Sequence, residues 1–436
     1  MRVSLCCRLF RSPGLKVLAC SAFVYLIIFL YCRMRFWRDP HSAFFNSDTV
    51  YDWKYSLYRE HEARHFISAH NFPADPTPAV KSTDDPQVCA AFVTVRRQTD
   101  DYFDASIGSL LSGLDPKERR ALYLIALFAN TDPTLHPSWG QPWLDQLVDS
   151  AEAYNVSEPQ FEHLKKLETD HHWQEKGVFD YVYVLERCLS TKAPYVAVFE
   201  DDIIVALGWM AKSLKALKDI DHDPRYSNQD NHPWLYLRLF YTETFMSWSS
   251  SDFWYRNMPF VFASVMGLTF GALLAVRWRF PPSRAYLDFF TIGVVCFICL
   301  PAFIALVYMV GKYSLLPLEG LIEMDYGCCT QGLVFSRDQV GDLITHLRQV
   351  KSGQTDLIIE KYAEHTGLRR FALAQQQLQH VGLRSSRGLS VINTQSTWAF
   401  WFEENDPRRL KLEHDSLLQD DQMKQLLAKY ANERVS

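Results

Sequence analysis

A chain of 436 residues with a net charge of −5 and 48% apolar residues is large enough for one big core or two modest ones. Its acidic balance gives no reason to expect nucleic acid as a partner. No Cys/His cluster has the spacing of a zinc site.

The first 14 residues are basic (Arg2, Arg8, Arg11) and read as a cytosolic tail, in which Cys6 and Cys7 could be acylated. Residues 15–32 are apolar and long enough to span a bilayer. A secretory signal peptide is the competing reading, but Tyr31, Arg33 and Met34 follow the run where a cleavage site needs small residues. Residues 33–85 read as a stem, helical at first and then a linker through Asn71–Pro78.

An α/β pattern begins after the stem. Cys89–Val95, Ala121–Phe128, Tyr195–Phe199 and Trp234–Phe240 are apolar runs of buried-strand type. Helical spacing runs over Tyr102–Leu114, Trp143–Asp149, Lys176–Leu189 and Met210–Leu217. Beyond residue 312 come a strand at Gly332–Phe335 and helices at Arg337–Val350 and Thr355–Glu364. Strands alternating with helices predict a mainly parallel sheet covered on both faces. Ligands of such sheets bind at the carboxyl ends of the strands. That places Arg96-Arg97, Asn130–Asp132 and Glu200–Asp202 along one edge. No GxGxxG follows the first strand, so a dinucleotide site is not indicated.

Two uncharged apolar runs, 258–276 and 289–311, interrupt this pattern. Each reaches the roughly 20 residues that a helix needs to cross a bilayer, and only a short basic loop (Arg277, Arg279, Arg284) separates them. The pair predicts a transmembrane hairpin over 257–312, inserted between two halves of one domain, 86–256 and 313–436. The positive-inside rule puts the tail and this loop in the cytosol and both halves in a secretory lumen. Cys89, Cys188, Cys328 and Cys329 are then lumenal and suited to disulfides. Cys328 and Cys329 are adjacent and are expected to pair with Cys89 or Cys188, not with each other. Asn155-Val-Ser157 is an N-glycan sequon, which needs a surface position.

Three acids, Glu200-Asp201-Asp202, close the Tyr195 strand. Carboxylates at a strand end suit a hard divalent cation, whereas a solvated acidic loop or a helix N-cap is the plainer alternative. Like charges so close repel unless a cation relieves them.

Tyr195-Val-Ala-Val-Phe-Glu-Asp-Asp202 resembles the acidic motif of GT-A nucleotide-sugar glycosyltransferases. Val93–Arg97, Lys176 with Phe179-Asp180-Tyr181, and Gln379-His-Val-Gly-Leu-Arg-Ser-Ser386 resemble segments of N-acetylglucosaminyltransferase IV. The inserted hairpin, Leu235–Leu239 and Cys328-Cys329-Thr330 resemble the post-GPI-attachment N-acetylgalactosamine transferase family. The resemblance spans roughly residues 88–390; the stem and residues 390–436, with Trp398–Phe402, depart from it. It implies a GT-A-like fold, a UDP-sugar donor, and a divalent metal with manganese as first choice. Asp202 is implied as direct ligand, with Glu200 and Asp201 binding metal through water or holding the ribose. His380 would ligate metal or touch the diphosphate, and Arg96 and Lys176 would contact the nucleotide. Asp356 is implied as the base of an inverting transfer, with Glu323 and Asp325 behind it. The implied reaction moves N-acetylgalactosamine from UDP-GalNAc to the glycan core of GPI-anchored proteins at the Golgi membrane. An N-glycan N-acetylglucosaminyltransferase, a non-catalytic lipid-glycan scaffold and, more distantly, a transporter are the alternatives. Three spans without intramembrane charge offer a transporter no ion path.

Overall fold

A computed structural model describes residues 12–71, 80–97, 101–226, 233–382 and 397–431. The basic tail with Cys6 and Cys7, linker residues 72–78 and Leu383–Ser386 of the C-terminal motif lie outside them. The chain divides into two compact units, Met1–Tyr51 with Glu243–Pro317, and Asp52–Thr242 with Leu318–Ser436.

The first unit holds three helices long and apolar enough to cross a membrane: Pro13–Arg35, Met258–Arg279 and Phe289–Met309. The last carries a π turn at Val295–Cys299 next to Pro301, which has no N–H to give to the preceding turn. The chain after the first span folds back on the hairpin. Ala43 N–H donates to the Met309 carbonyl at 2.8 Å, and Ser314 Oγ donates to Asp39 Oδ2 at 2.7 Å. Phe44 packs with Cys32, Leu306 and Val310.

The second unit is α/β. Its strands are β1 Val88–Thr94, β2 Leu122–Phe128, β3 Ser150–Glu152, β4 Tyr195–Glu200, β5 Ile203–Val205, β6 Trp234–Arg238, β7 Leu321–Glu323, β8 Gly332–Ser336, β9 Arg369–Leu373 and β10 Leu378–His380. Its main helices are α1 Tyr55–Ala69, α2 Phe103–Leu111, α3 Glu158–Thr169, α4 Trp173–Leu189, α5 Trp209–His222, α6 Arg337–Val350, α7 Thr355–Thr366, α8 Pro407–Gln419 and α9 Asp421–Leu427. The large sheet runs β3-β2-β1-β4-β8-β6-β9-β7, and β10 pairs with β5 in a small second sheet. Pairing is parallel across β3-β2-β1-β4 and between β6 and β9. It is antiparallel where β8 enters between β4 and β6. β6 precedes the hairpin and β8 follows it, so one sheet is woven from chain on both sides of the insertion.

Period-2 alternation places Ala90 and Phe92 of β1 in the core beneath α2 and α5, and Cys89 and Ala91 in the core shared with α4 and α6. Both faces are covered, which is why the strands read as unbroken apolar runs. Residues 52–71 belong to this unit. Tyr55, Arg59, Ala63 and Ile67 recur along one face of α1 and are buried. Arg59 donates to the carbonyls of Val205 at 3.1 Å and Ser109 at 2.7 Å. The segment read as a stem is thus divided between the two units.

Cys89 on β1 bonds Cys188 on α4, across a Cα–Cα distance of 5.6 Å. The structure pairs Cys328 with Cys329, contrary to the expectation that adjacent cysteines would seek separate partners. With Cys89 and Cys188 joined inside the core, the adjacent thiols are left to one another, and Cys329 takes φ 78° in the loop that brings them together.

Replacing Cys89 and Cys188 by Ala should remove about 2–4 kcal/mol of stability, seen as a lower melting temperature of the detergent-solubilised protein. An unchanged melting curve would show that the bond does not constrain this sheet.

Candidate metal and sugar-nucleotide site

The site grows from the carboxyl ends of β1 and β4. β4 ends at Glu200, the chain turns through Asp201 and Asp202, and β5 begins. β10 runs antiparallel to β5, setting His380 opposite Ile203, and Val381 N–H donates to the Asp202 carbonyl at 2.8 Å. That register carries His380 to the acids, with Nε2 3.3 Å from Asp202 Oδ2. Glu200, Asp202 and His380 each offer a ligand atom, all within 4.8 Å of one another, an arrangement able to hold a metal ion.

Asp202 is enclosed, with its side chain 10% exposed. Oδ2 also accepts from Arg97 Nη2 at 2.9 Å, while Oδ1 is buried without a hydrogen-bond partner among the described residues. Gly382 closes the wall: a Cβ there would come 2.0 Å from Asp202 Oδ2. Burial pushes the Asp202 carboxyl up, but His380 and Arg97 outweigh it and hold the group well below the usual carboxylate range. Burial likewise favours neutral His380, and Asp202 reverses this and raises the imidazole. Asp201 differs. Burial pushes it up against the pull of Arg97, and the neighbouring Asp202 charge adds to the rise.

Asp201 is held from β1. Thr94 Oγ1 donates to its Oδ2 at 2.7 Å, Arg97 Nη2 donates to its Oδ1, and His136 Nε2 lies 2.9 Å from Thr94 Oγ1. The hydroxyl proton is committed to Asp201, so His136 Nε2 must be the donor. Ser138 N–H donates to His136 Nδ1 at 3.1 Å, which fits the same neutral tautomer. Burial lowers His136 to about 4.

Asp356 sits half-buried in the first turn of α7. Its Oδ1 accepts from Leu357 N–H at 2.8 Å and its Oδ2 from Cys329 N–H at 3.2 Å. The next residue, Thr330, donates to Glu200 Oε1 at 2.6 Å. One loop, residues 327–331, thereby touches both Asp356 and the acidic tip. Glu323 is engaged by Arg369 at 2.7 Å, and Asp325 is exposed.

Arg96 is exposed, its backbone N–H bonded to Asn130 Oδ1 at 2.8 Å, so the ends of β1 and β2 meet as expected. Lys176 is 3% exposed, with Nζ donating to the Ala129 carbonyl and Tyr154 Oη at 2.5 Å and to Asp180 at 3.1 Å. Arg97, Thr94, His136 and Thr330 were not singled out as site residues from sequence. Arg97 had a signal as half of the Arg-Arg pair after β1, and Thr94 and Thr330 stood inside the Val93–Arg97 and Cys328–Thr330 motifs; His136 had none. Asn155 of the sequon is exposed.

A mainly parallel sheet with an acidic strand tip, interrupted by an apolar helical hairpin, defines a membrane protein of GT-A-like α/β class. The chain belongs to the GPI-N-acetylgalactosamine transferase PGAP4 family, whose sequence model matches residues 88–376. It is therefore a glycosyltransferase of GPI anchors by family. None of the curated proteins matches the chain.

Gly382→Ala should lower transferase activity roughly 10- to 100-fold by displacing Asp202, and should lower the melting temperature as well, because the buried carboxylate is drawn from its partners; full activity would show that the wall yields. His136 supplies a pH test. Its ordinary value is 6.5 and its folded value about 4, so in that window the unfolded chain binds more protons. Stability should decline as pH falls from about 6.5 towards about 4, and His136→Gln should flatten that decline in thermal melts.

Proposed function

We propose that the protein transfers N-acetylgalactosamine from UDP-GalNAc to the glycan core of GPI-anchored proteins, inverting the anomeric carbon with help from a divalent cation. The observation that carries this reading is the meeting of Glu200, Asp202 and His380 at the strand ends of a chain in this family. The residues fit a cation. The unsatisfied Asp202 Oδ1 asks for one, and two carboxylates with an imidazole suit manganese. Glu200, Asp202 and His380 would hold it; when bound, it would offset the charge that develops on the departing diphosphate.

Asp356 is the residue best placed to take the acceptor proton. The acceptor hydroxyl oxygen forms its bond to C1 as the bond from C1 to the β-phosphate oxygen breaks. The electron pair leaves with UDP, and the hydroxyl proton passes to an Asp356 oxygen. The Cys329 and Leu357 N–H groups fix the carboxylate in one orientation. Glu323 is committed to Arg369, which favours Asp356 over it. Arg96 and Asp201 would contact the nucleotide. Lys176, shared among Ala129, Tyr154 and Asp180, would act by shaping the end of β2.

The reading puts the α/β unit in the Golgi lumen and the N-terminus in the cytosol. The Cys89–Cys188 bond suits an oxidising compartment, and the exposed Asn155 suits a lumenal face. Both ends of the hairpin segment join one sheet, so the chain must return to the side it left.

The test is transfer from a panel of UDP-sugars by the detergent-solubilised protein. UDP-GalNAc should be used with GPI-anchored acceptors, activity should need a divalent cation, and Asp202→Ala or Asp356→Asn should each lower turnover by about 100-fold or more. Preference for UDP-GlcNAc and N-glycans, equal use of free soluble glycans, or undiminished activity of Asp202→Ala would contradict the reading.

A further inference from the structure

Arg238 ends β6 and is 1% exposed, far more deeply buried than a surface cation. Its guanidinium reaches across to the loop between β7 and β8. Nη1 donates to the carbonyls of Cys328 and Cys329, the latter at 2.5 Å, and Nη2 donates to the Gly327 carbonyl at 3.1 Å. Three consecutive backbone carbonyls are thus tied to one side chain. The countercharge is Glu360, 4% exposed, whose Oε1 accepts from Arg238 Nη2 at 2.7 Å and from Tyr236 Oη at 2.5 Å. Its Oε2 accepts from Arg370 Nη1 at 3.0 Å. Glu360 lies on α7 one turn beyond Asp356. Gly327 lets the loop approach: a Cβ there would fall 2.7 Å from Arg238 Nε.

We propose that Arg238, braced by Glu360, is a positioning residue that sets Asp356 and Glu200 relative to each other through the 327–330 loop. The proposal rests on the assignment of Asp356 as base and Glu200 as metal ligand. Two contacts transmit the constraint: Cys329 N–H to Asp356 Oδ2 at 3.2 Å, and Thr330 Oγ1 to Glu200 Oε1 at 2.6 Å. Cys329 holds φ 78°, a left-handed conformation that a non-glycine residue keeps only when its surroundings impose it. The pairing with Cys328 and the planar fork of Arg238 together hold it here, the fork by binding the carbonyls on both sides of that residue's nitrogen. A lysine would carry the charge but could not address three carbonyls and a carboxylate at once.

The experiment compares Arg238→Lys, Gly327→Ala and Glu360→Gln with Asp356→Asn and the unmodified full chain, in detergent, with UDP-GalNAc and a GPI-anchored acceptor. Folding is followed by melting, and kcat is separated from the KM of each substrate. Gly327→Ala perturbs the strap without removing any charge and covers the case in which Arg238→Lys does not fold. The folded strap variants should lose roughly 10- to 100-fold in kcat, with the KM for UDP-GalNAc within about threefold, because the ends of β1 and β2 are untouched. This split is the readout: a merely structural role would lower the melting temperature and the folded fraction while leaving kcat per folded chain unchanged. Loss of turnover in Asp356→Asn together with unaltered kcat in Gly327→Ala and Glu360→Gln would overturn this proposal alone. Retained turnover in Asp356→Asn would overturn the base assignment and this proposal with it.

Discussion

The site depends on keeping one carboxylate ionised away from water. Asp202 is nearly enclosed, and burial alone disfavours its charge by several kcal/mol. The chain meets that cost with partners from distant stretches: Arg97 after β1 and His380 at the end of β10, with Gly382 allowing the backbone to close in. Removing either partner leaves a buried charge under-compensated. The fold's main task is to hold these segments in register, and β10 against β5 is the step that does so.

That register is itself supported by residues outside the family match. Gln379 on β10 exchanges hydrogen bonds with the backbone of Ala399 at 3.0 and 3.1 Å and donates to Glu403 Oε1 at 3.0 Å. Glu403 Oε2 in turn accepts from the backbone N–H groups of Lys54 and Ser56, where α1 begins. The aromatic stretch Trp398–Phe402, which departs from the resemblance, is therefore a clamp that fixes β10 and, through it, His380. Trp398, Phe400 and Phe402 are buried, which explains their apolar character.

Much of this was legible in sequence because burial on both faces writes strands as apolar runs. β1, β2, β4, β6 and β8 show it; the three spanning helices were legible instead by their length and apolar character. The short strands were not legible. β10 is Leu-Gln-His, and its middle residue faces a polar clamp. β9 opens with Arg369-Arg370, whose guanidiniums answer Glu323 and Glu360. Helix α3 did carry a signal, Leu164 and Leu167 buried on one side, but its charged remainder hid it. The acidic tip and His380 were readable as motifs, whereas Arg97 lies beyond the strand end, where alternation no longer says which arginine turns inward. The Cys328–Cys329 pair was missed because it depends on which thiols the core leaves over, a property of the folded chain.

On the proposed function, chain from both sides of the membrane hairpin completes a single cation site. The decisive experiment titrates the detergent-solubilised protein with Mn²⁺ and follows free ion by electron paramagnetic resonance. One bound ion per chain is expected in the unmodified protein, and loss of that ion in both Asp202→Ala, before the hairpin, and His380→Ala, after it, while both variants remain folded. Undiminished Mn²⁺ binding by His380→Ala would contradict it.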